Sequence, residues 1–155
     1  MGLDMYLTAR KYVSDYTFQN GEETKTVNDI LSAVGVDREM LSPDSPGITV
    51  AVTVGYWRKV NSIHKWFVDN TQGGKDECQQ SYVSREQLVD LLGIVARAIQ
   101  KKDAKLLPPT SGFFFGSTEV DDWYWHDLEY TSDLLTKILG NESLKDCDFI
   151  YQASW

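Results

Sequence analysis

The sequence predicts one soluble α+β domain, in which three main helices pack on a small antiparallel sheet of about three strands. Apolar residues that alternate with polar ones predict the strands, and apolar residues spaced three or four apart predict the helices. The length of 155 residues suits one core, and 42% hydrophobic with 25% charged residues is a globular composition. We therefore expect residues 1–155 to form a single domain.

The strands are predicted at residues 3–13, 48–56 and 147–155. Ile48 and Val50 begin the most regular alternation in the chain, which predicts that the second strand pairs centrally in the sheet. The last strand is expected to close the sheet.

A polar stretch at about residues 14–47 separates the first two strands. It contains a turn signal at Asn20-Gly21, a short helical pattern at residues 27–34, and Pro43 near its end. We interpret this stretch as a variable excursion from the domain.

The first main helix is predicted at residues 57–68, because apolar side chains recur at helical spacing from Trp57 onward. A capping-box sequence at Ser84 opens a second helix with one apolar stripe. The prolines and glycines of residues 106–116 predict a loop, and a third helix is expected at about residues 119–139.

Charge and cysteine content exclude several classes of protein. The net charge of −8 argues against binding to duplex nucleic acid, and the chain lacks an apolar run of about 18 residues for a membrane span. Cys78 and Cys147 are expected to be free thiols in a reducing cytoplasm. With His64 and His126 they lack the short paired spacings of a zinc site, so neither metal nor cofactor is predicted.

Residues 55–67 join a strand end to a helix rich in aromatic and cationic side chains, which favours a ligand pocket. An alternative stays open, in which Trp57 and Phe67 pack on the sheet while Asn61 and His64 satisfy buried polar groups. The candidate ligand-binding residues here are Tyr56, Trp57, Arg58, Asn61, His64 and Lys65.

Six aromatic residues lie within the thirteen positions from Phe113 to Trp125, more than one helix stripe can hold. Grouped exposed aromatics mark binding surfaces. Together with Arg58, Lys59 or Lys65 they could bind a nucleotide, since stacking contributes about 1 to 3 kcal/mol per base. Glycine-rich phosphate loops are absent from the sequence. The candidates in this segment are Phe114, Phe115, Trp123 and Trp125.

Several sequence blocks form a signature: MGLDMYL at residues 1–7, YWRK at 56–59 with Asn61, IHKW at 63–66, SGFFFGS at 111–117 and YQASW at 151–155. Together they resemble a family of small phage and prophage proteins across nearly the whole chain, and residues 21–47 fit the family least. The resemblance implies a viral protein acting in the cytoplasm of a bacterial host, where small accessory proteins counter host defence. It assigns no functional residue.

The favoured function is noncatalytic binding of a small, nucleotide-derived signal, which the protein would sequester as a homo-oligomer. One alternative is an acidic inhibitor that binds a host protein directly. A second is a small hydrolase or nuclease, although we assign no catalytic residue. The carboxylates that could serve such chemistry, but that a solvated helix face explains, are Asp121, Asp122, Asp127 and Glu129.

Overall fold

A computed structural model describes residues 2–15, 21–42 and 45–155 of the protein, with side chains from residue 25 onward in the second stretch. The α+β class is confirmed, and the described residues contain four strands and four α-helices where about three of each were predicted. The strands are β1 (Asp4–Ser14), β2 (Gly47–Arg58), β3 (Ser81–Val83) and β4 (Asp148–Ser154). The helices are α1 (Gly21–Val34), α2 (Asn61–Thr71), α3 (Arg85–Lys101) and α4 (Asp122–Gly140).

The chain divides into two compact units, one of Met1–Ala9 with Val52–Trp155 and one of Arg10–Ala51. The larger unit contains α2, α3 and α4 together with β3 and β4. The smaller unit contains α1, and β1 and β2 contribute residues to both units.

The predicted excursion at about residues 14–47 falls within the range of the smaller unit. Its helix α1 begins earlier than the sequence pattern indicated, and Asn20 and Pro43 lie outside the described residues. Arg38, after α1, donates a 2.6 Å hydrogen bond to the side chain of Asn28 and forms an ion pair with Asp15.

The sheet has the order β2-β1-β4-β3. The prediction that β2 is central was wrong: alternation reports burial of one face and carries no information about which strands are neighbours. The two inner strands, β1 and β4, carry fully buried side chains, among them Met5, Leu7 and Tyr151. β3 pairs antiparallel with β4, with Tyr82 opposite Ile150, and three residues are too few for a periodic sequence signal.

The core of the larger unit is formed by the sheet and by side chains of α2, α3 and α4. α3 and α4 pack on each other, and the predicted apolar stripe of α3 is confirmed by fully buried Leu88 and Leu91. α4 contributes Leu128 and Leu135, which are also fully buried.

Helix α2 begins at Asn61, so the predicted start at Trp57 was wrong. Trp57 belongs to β2 and lies in the core with 1% of its surface exposed. Lys59 then adopts a left-handed conformation with a φ of 61°, which ends the strand before the helix can begin.

The helix caps explain where the other two long helices begin. Ser84 and Gln87 form the predicted capping box, with hydrogen bonds of 3.1 and 2.8 Å. Asp121 accepts a 3.0 Å hydrogen bond from the backbone N–H of Tyr124, so α4 starts at Asp122 and later than the predicted residue 119. None of the helices in the described residues is long and apolar enough to cross a membrane.

Candidate functional site

A cleft of about 230 Å³ opens in the larger unit, where the end of β2, the start of α2, the loop after residue 108 and the first turns of α4 meet. It holds cationic, anionic and aromatic side chains together. Its lining includes Arg58, Lys59, Asn61, Glu119, Asp121, Trp123, Tyr124 and Asp127.

Three of the ten predicted ligand-binding residues line this cleft: Arg58, Asn61 and Trp123. Trp123 is 74% exposed and its ring meets His126 edge-on at 6.1 Å between centroids. A tryptophan face of this exposure can stack on a flat ligand.

Trp57 has a structural role in the core. Its indole Nε1 donates a 3.0 Å hydrogen bond to the fully buried Thr131 hydroxyl, which donates to the backbone carbonyl of Asp127 at 2.7 Å. The interior therefore satisfies the polar edge of the ring, as the alternative interpretation of the sequence anticipated.

Asn61 is buried and ties the loop after residue 108 to α2. Its side-chain amide donates to the carbonyls of Phe115 and Ser117 at 3.1 and 2.9 Å. Its carbonyl oxygen accepts a 2.9 Å hydrogen bond from the backbone N–H of Thr110. Both N–H groups of the amide are thus used to build the cleft wall.

Two glycines allow the same loop to pack closely. A Cβ on Gly112 would lie 2.4 Å from the ring of Phe115, which is itself buried. Gly116 has a φ of 87° and approaches the side chain of Lys59, so a side chain there would be strained. The loop therefore holds a defined shape beside the cleft.

His64 lies beside a second hollow of about 210 Å³ and is 1% exposed. Its Nε2 lies 2.8 Å from the carboxylate of Asp76, and its Nδ1 lies 2.7 Å from the hydroxyl of Tyr151. A neutral ring that donates from Nε2 and accepts at Nδ1 satisfies both contacts. Burial raises the pKa of Tyr151 well above its usual value, with Asp76 adding to the effect, so the hydroxyl stays a donor.

Trp155 completes this network by donating from its indole nitrogen to the other oxygen of Asp76 at 3.1 Å. Both nitrogens of His64 are therefore occupied by protein groups. The arrangement anchors the segment between α2 and β3 and leaves no ring nitrogen aimed at a substrate.

The other predicted site residues lie outside the cleft lining, each with its own partner. Lys65 forms an ion pair with Asp69 on α2. Phe114 meets Phe113 edge-on at 4.6 Å between centroids. The Lys102 ammonium lies 4.6 Å from the ring centroid of the half-buried Trp125, as in a cation–π contact.

Tyr56, the last of the predicted residues, faces away from the core. Its hydroxyl donates a 2.5 Å hydrogen bond to Asp4, and this bond is the main cause that raises its pKa. Arg58 Nε lies 3.9 Å from the same oxygen of Asp4. The Asp4 carboxylate therefore helps to orient Arg58 at the mouth of the cleft.

The wall formed by α4 carries carboxylates that the sequence prediction did not assign to the site. Asp127 accepts no hydrogen bond from the side chains of the described residues, and burial is the main cause that raises its pKa. His126 partly offsets this shift of the Asp127 pKa, and Asp121 adds to it. The sequence offered one signal for Asp127: it follows Trp123 by four residues, and this helical spacing places the two side chains on one helix face.

Comparison with known proteins identifies no relative: no protein-family model, no curated protein and no solved structure matches the chain.

The part of the chain that the structure describes contains possible metal ligands and cysteines. None of its groups of His, Cys, Asp and Glu is arranged to hold a metal ion. Cys78 and Cys147 are free thiols. The residues that line the cleft can stack, form ion pairs and make hydrogen bonds.

Proposed function

We propose that the protein binds a small, nucleotide-derived ligand in the Arg58 cleft and does not transform it. The observation that carries the proposal is the meeting of two cations, Arg58 and Lys59, with the exposed indole of Trp123 around one concavity. Cations bind phosphate and the indole face stacks on a base, which together are the elements of sequence-tolerant nucleotide binding.

The size and the wall of the cleft support a small guest. At about 230 Å³ it lies just below the range of roughly 300 to 1,000 Å³ typical of drug-sized ligand sites. Asn61 and the two loop glycines form the wall before any ligand arrives, which lowers the entropic cost of binding.

His64 offers no general base to a ligand in the Arg58 cleft, because it lies beside the second hollow and both of its ring nitrogens are engaged by Asp76 and Tyr151; we therefore favour binding without turnover. A histidine that acts as a general base needs a free ring nitrogen within hydrogen-bond reach of the substrate. Phage origin, the bacterial host cytoplasm, a homo-oligomer and the sequestering of a host defence signal belong to the same proposal and rest on the sequence resemblance.

Thermal-shift measurements with nucleoside monophosphates and cyclic nucleotides test this proposal. A ligand at 100 times its dissociation constant should add about 2.7 kcal/mol to the free energy of unfolding. Trp123→Ala and Arg58→Ala should each abolish the shift, and Trp123→Ala should change the unliganded stability by no more than about 0.5 kcal/mol.

Phe113→Ala is the matched control, because Phe113 is 88% exposed and does not line the cleft. It should retain the full ligand-induced shift. The cleft proposal is wrong if no nucleotide stabilises the protein. It is also wrong if Trp123→Ala and Phe113→Ala lose the ligand-induced shift equally. Mass spectrometry of the recovered ligand should show it unchanged; a converted product would instead indicate the hydrolase alternative.

The inhibitor alternative has one observation in its favour, the exposure of Phe113 on an acidic protein. Direct binding to a host protein would weaken with added salt and would survive Arg58→Ala. Arg58→Ala therefore distinguishes the two functions, because it should abolish nucleotide binding and leave binding to a host protein intact.

A further inference from the structure

The cleft has walls of opposite charge. Arg58 and Lys59 supply two cations from the end of β2, while α4 and the residues just before it supply the carboxylates of Glu119, Asp121 and Asp127. A phosphate alone would meet more negative than positive charge in this space. A guest that fits must therefore present hydrogen-bond donors to the acidic wall as well as an anion to the basic one.

Asp127 is the carboxylate best placed to receive those donors. Asp121 already accepts the backbone N–H of Tyr124 as the helix cap, and Glu119 is exposed. Asp127 is partly buried and its carboxylate lacks a hydrogen-bond donor among the described side chains. A charge-assisted hydrogen bond to a partly desolvated carboxylate contributes more than one to a fully exposed group, so a ligand that supplies donors gains affinity there.

Trp123 and Asp127 lie four residues apart on α4, and this spacing puts the two side chains next to each other on the helix surface. A base stacked on the Trp123 face would bring one hydrogen-bonding edge toward the Asp127 carboxylate. Stacking alone tolerates every base, so the carboxylate is what can discriminate among them.

Resting on the proposed function, we propose that the ligand carries a guanine base whose donor edge pairs with the Asp127 carboxylate, while its phosphate lies at Arg58 and Lys59. Guanine presents a ring N–H and an exocyclic amino group side by side, which match the two oxygens of a carboxylate. Hypoxanthine keeps only the ring N–H. Adenine places an acceptor beside its amino group, and uracil flanks its one donor with carbonyls.

Isothermal titration of the wild-type chain with the monophosphates of guanosine, inosine, adenosine and uridine tests this inference. Guanosine monophosphate should bind tightest, with the inosine analogue about 10-fold weaker, because one charge-assisted hydrogen bond is lost. The adenosine and uridine analogues should bind on the order of 100-fold weaker. Inorganic phosphate, which lacks the base, should bind weaker than all four.

Asp127→Asn should reduce affinity for guanosine monophosphate to about the level of the adenosine analogue. Glu129→Gln removes the same charge from the same helix at an exposed residue outside the cleft lining, and it should leave the titration unchanged. Asp127→Asn should not lower the unliganded melting temperature, because it removes a partly desolvated charge.

Each failure has a distinct meaning. Equal binding of guanosine and adenosine monophosphates, still dependent on Trp123 and Arg58, would overturn the guanine assignment and leave the proposed function standing. Phosphate binding as tight as that of the guanosine nucleotide would also overturn it. If none of the four nucleotides binds, the proposed function fails and the guanine inference with it.

Discussion

Asn61 shows how a residue that looks like a ligand contact can be a structural one. Its amide is buried and makes three hydrogen bonds to the backbone of the loop after residue 108. The sequence pattern predicted that Trp57 and Asn61 belong to one helix, but Trp57 lies in β2 and Asn61 is the first residue of α2. The functional consequence is indirect, because Asn61 shapes a wall of the cleft.

Asn61→Ala should lower the free energy of unfolding by about 2 to 4 kcal/mol, since it leaves the buried carbonyl of Phe115, the part-buried carbonyl of Ser117 and the N–H of Thr110 without their partner. Asn70→Ala is the control: the same helix loses only the 2.7 Å bond to the carbonyl of Trp66, which is worth about 1 kcal/mol. Urea unfolding measures both values. Equal losses would mean that the loop does not depend on Asn61.

Trp57 and Trp123, both predicted to bind the ligand, differ in their burial. Trp57 and Trp123 are identical in type, yet one is 1% and the other 74% exposed. Counting aromatic residues indicated that some must be exposed, but which ones depends on the packing of β2 and α4. Only side-chain burial in the folded chain distinguishes them.

At the scale of elements, the segment between α2 and β3 is held by side chains rather than by regular structure. Asp76 accepts hydrogen bonds from His64 of α2 and from Trp155, which follows β4. Neither contact is visible in sequence spacing, because the three residues are far apart along the chain. These two contacts of Asp76 hold the segment that leads into β3, and so help this three-residue strand to pair with β4 in a defined register.

Asp76→Ala should lower the free energy of unfolding by about 1 to 3 kcal/mol, because the N–H of the buried His64 loses its acceptor. The segment at residues 72–80 should also become more susceptible to proteolysis. Glu77→Ala removes a neighbouring exposed carboxylate and should change stability by no more than about 0.5 kcal/mol. A similar effect of both variants on urea unfolding and on cleavage would contradict the anchoring role.

At the scale of the whole molecule, two buried tyrosine hydroxyls couple stability to alkaline pH. Burial, with a smaller contribution from Asp103, raises the pKa of Tyr124 to about 12, and its hydroxyl donates to the carbonyl of Leu107 at 2.8 Å. Burial also raises the pKa of Tyr151. The folded chain therefore keeps protons that the unfolded chain releases near pH 10.

The stability from Tyr124 should be fully present below pH 10 and should fall as the pH rises from 10 toward 12, because the pKa of the folded state is the higher one. Urea unfolding at a series of alkaline pH values measures this loss. Tyr124→Phe should cost about 1 kcal/mol at neutral pH, through the lost hydrogen bond, and should make the alkaline decline shallower. An unchanged slope in the variant would show that Tyr124 does not titrate on unfolding.

The chemistry of the cleft could be predicted only in part. The sequence indicated aromatic and cationic side chains after β2, and Arg58, Asn61 and Trp123 do line one cleft. The sequence did not indicate the acidic wall of the cleft. Asp127 fits a solvated helix face equally well until the position of α4 against β2 is known. Local spacing places residues on a face but cannot show which face meets another element.

The α+β class, the strands near both ends of the chain, the capping box at Ser84 and the apolar stripe of α3 all follow from the sequence. These features depend on neighbours within a few residues, and hydrophobic period and cap chemistry report them directly. The strand order, the short β3, the burial of Trp57 and His64, and the opposed charges of the cleft required the tertiary structure. They are made by residues distant along the chain, whose approach is decided by packing of the whole core rather than by any local pattern.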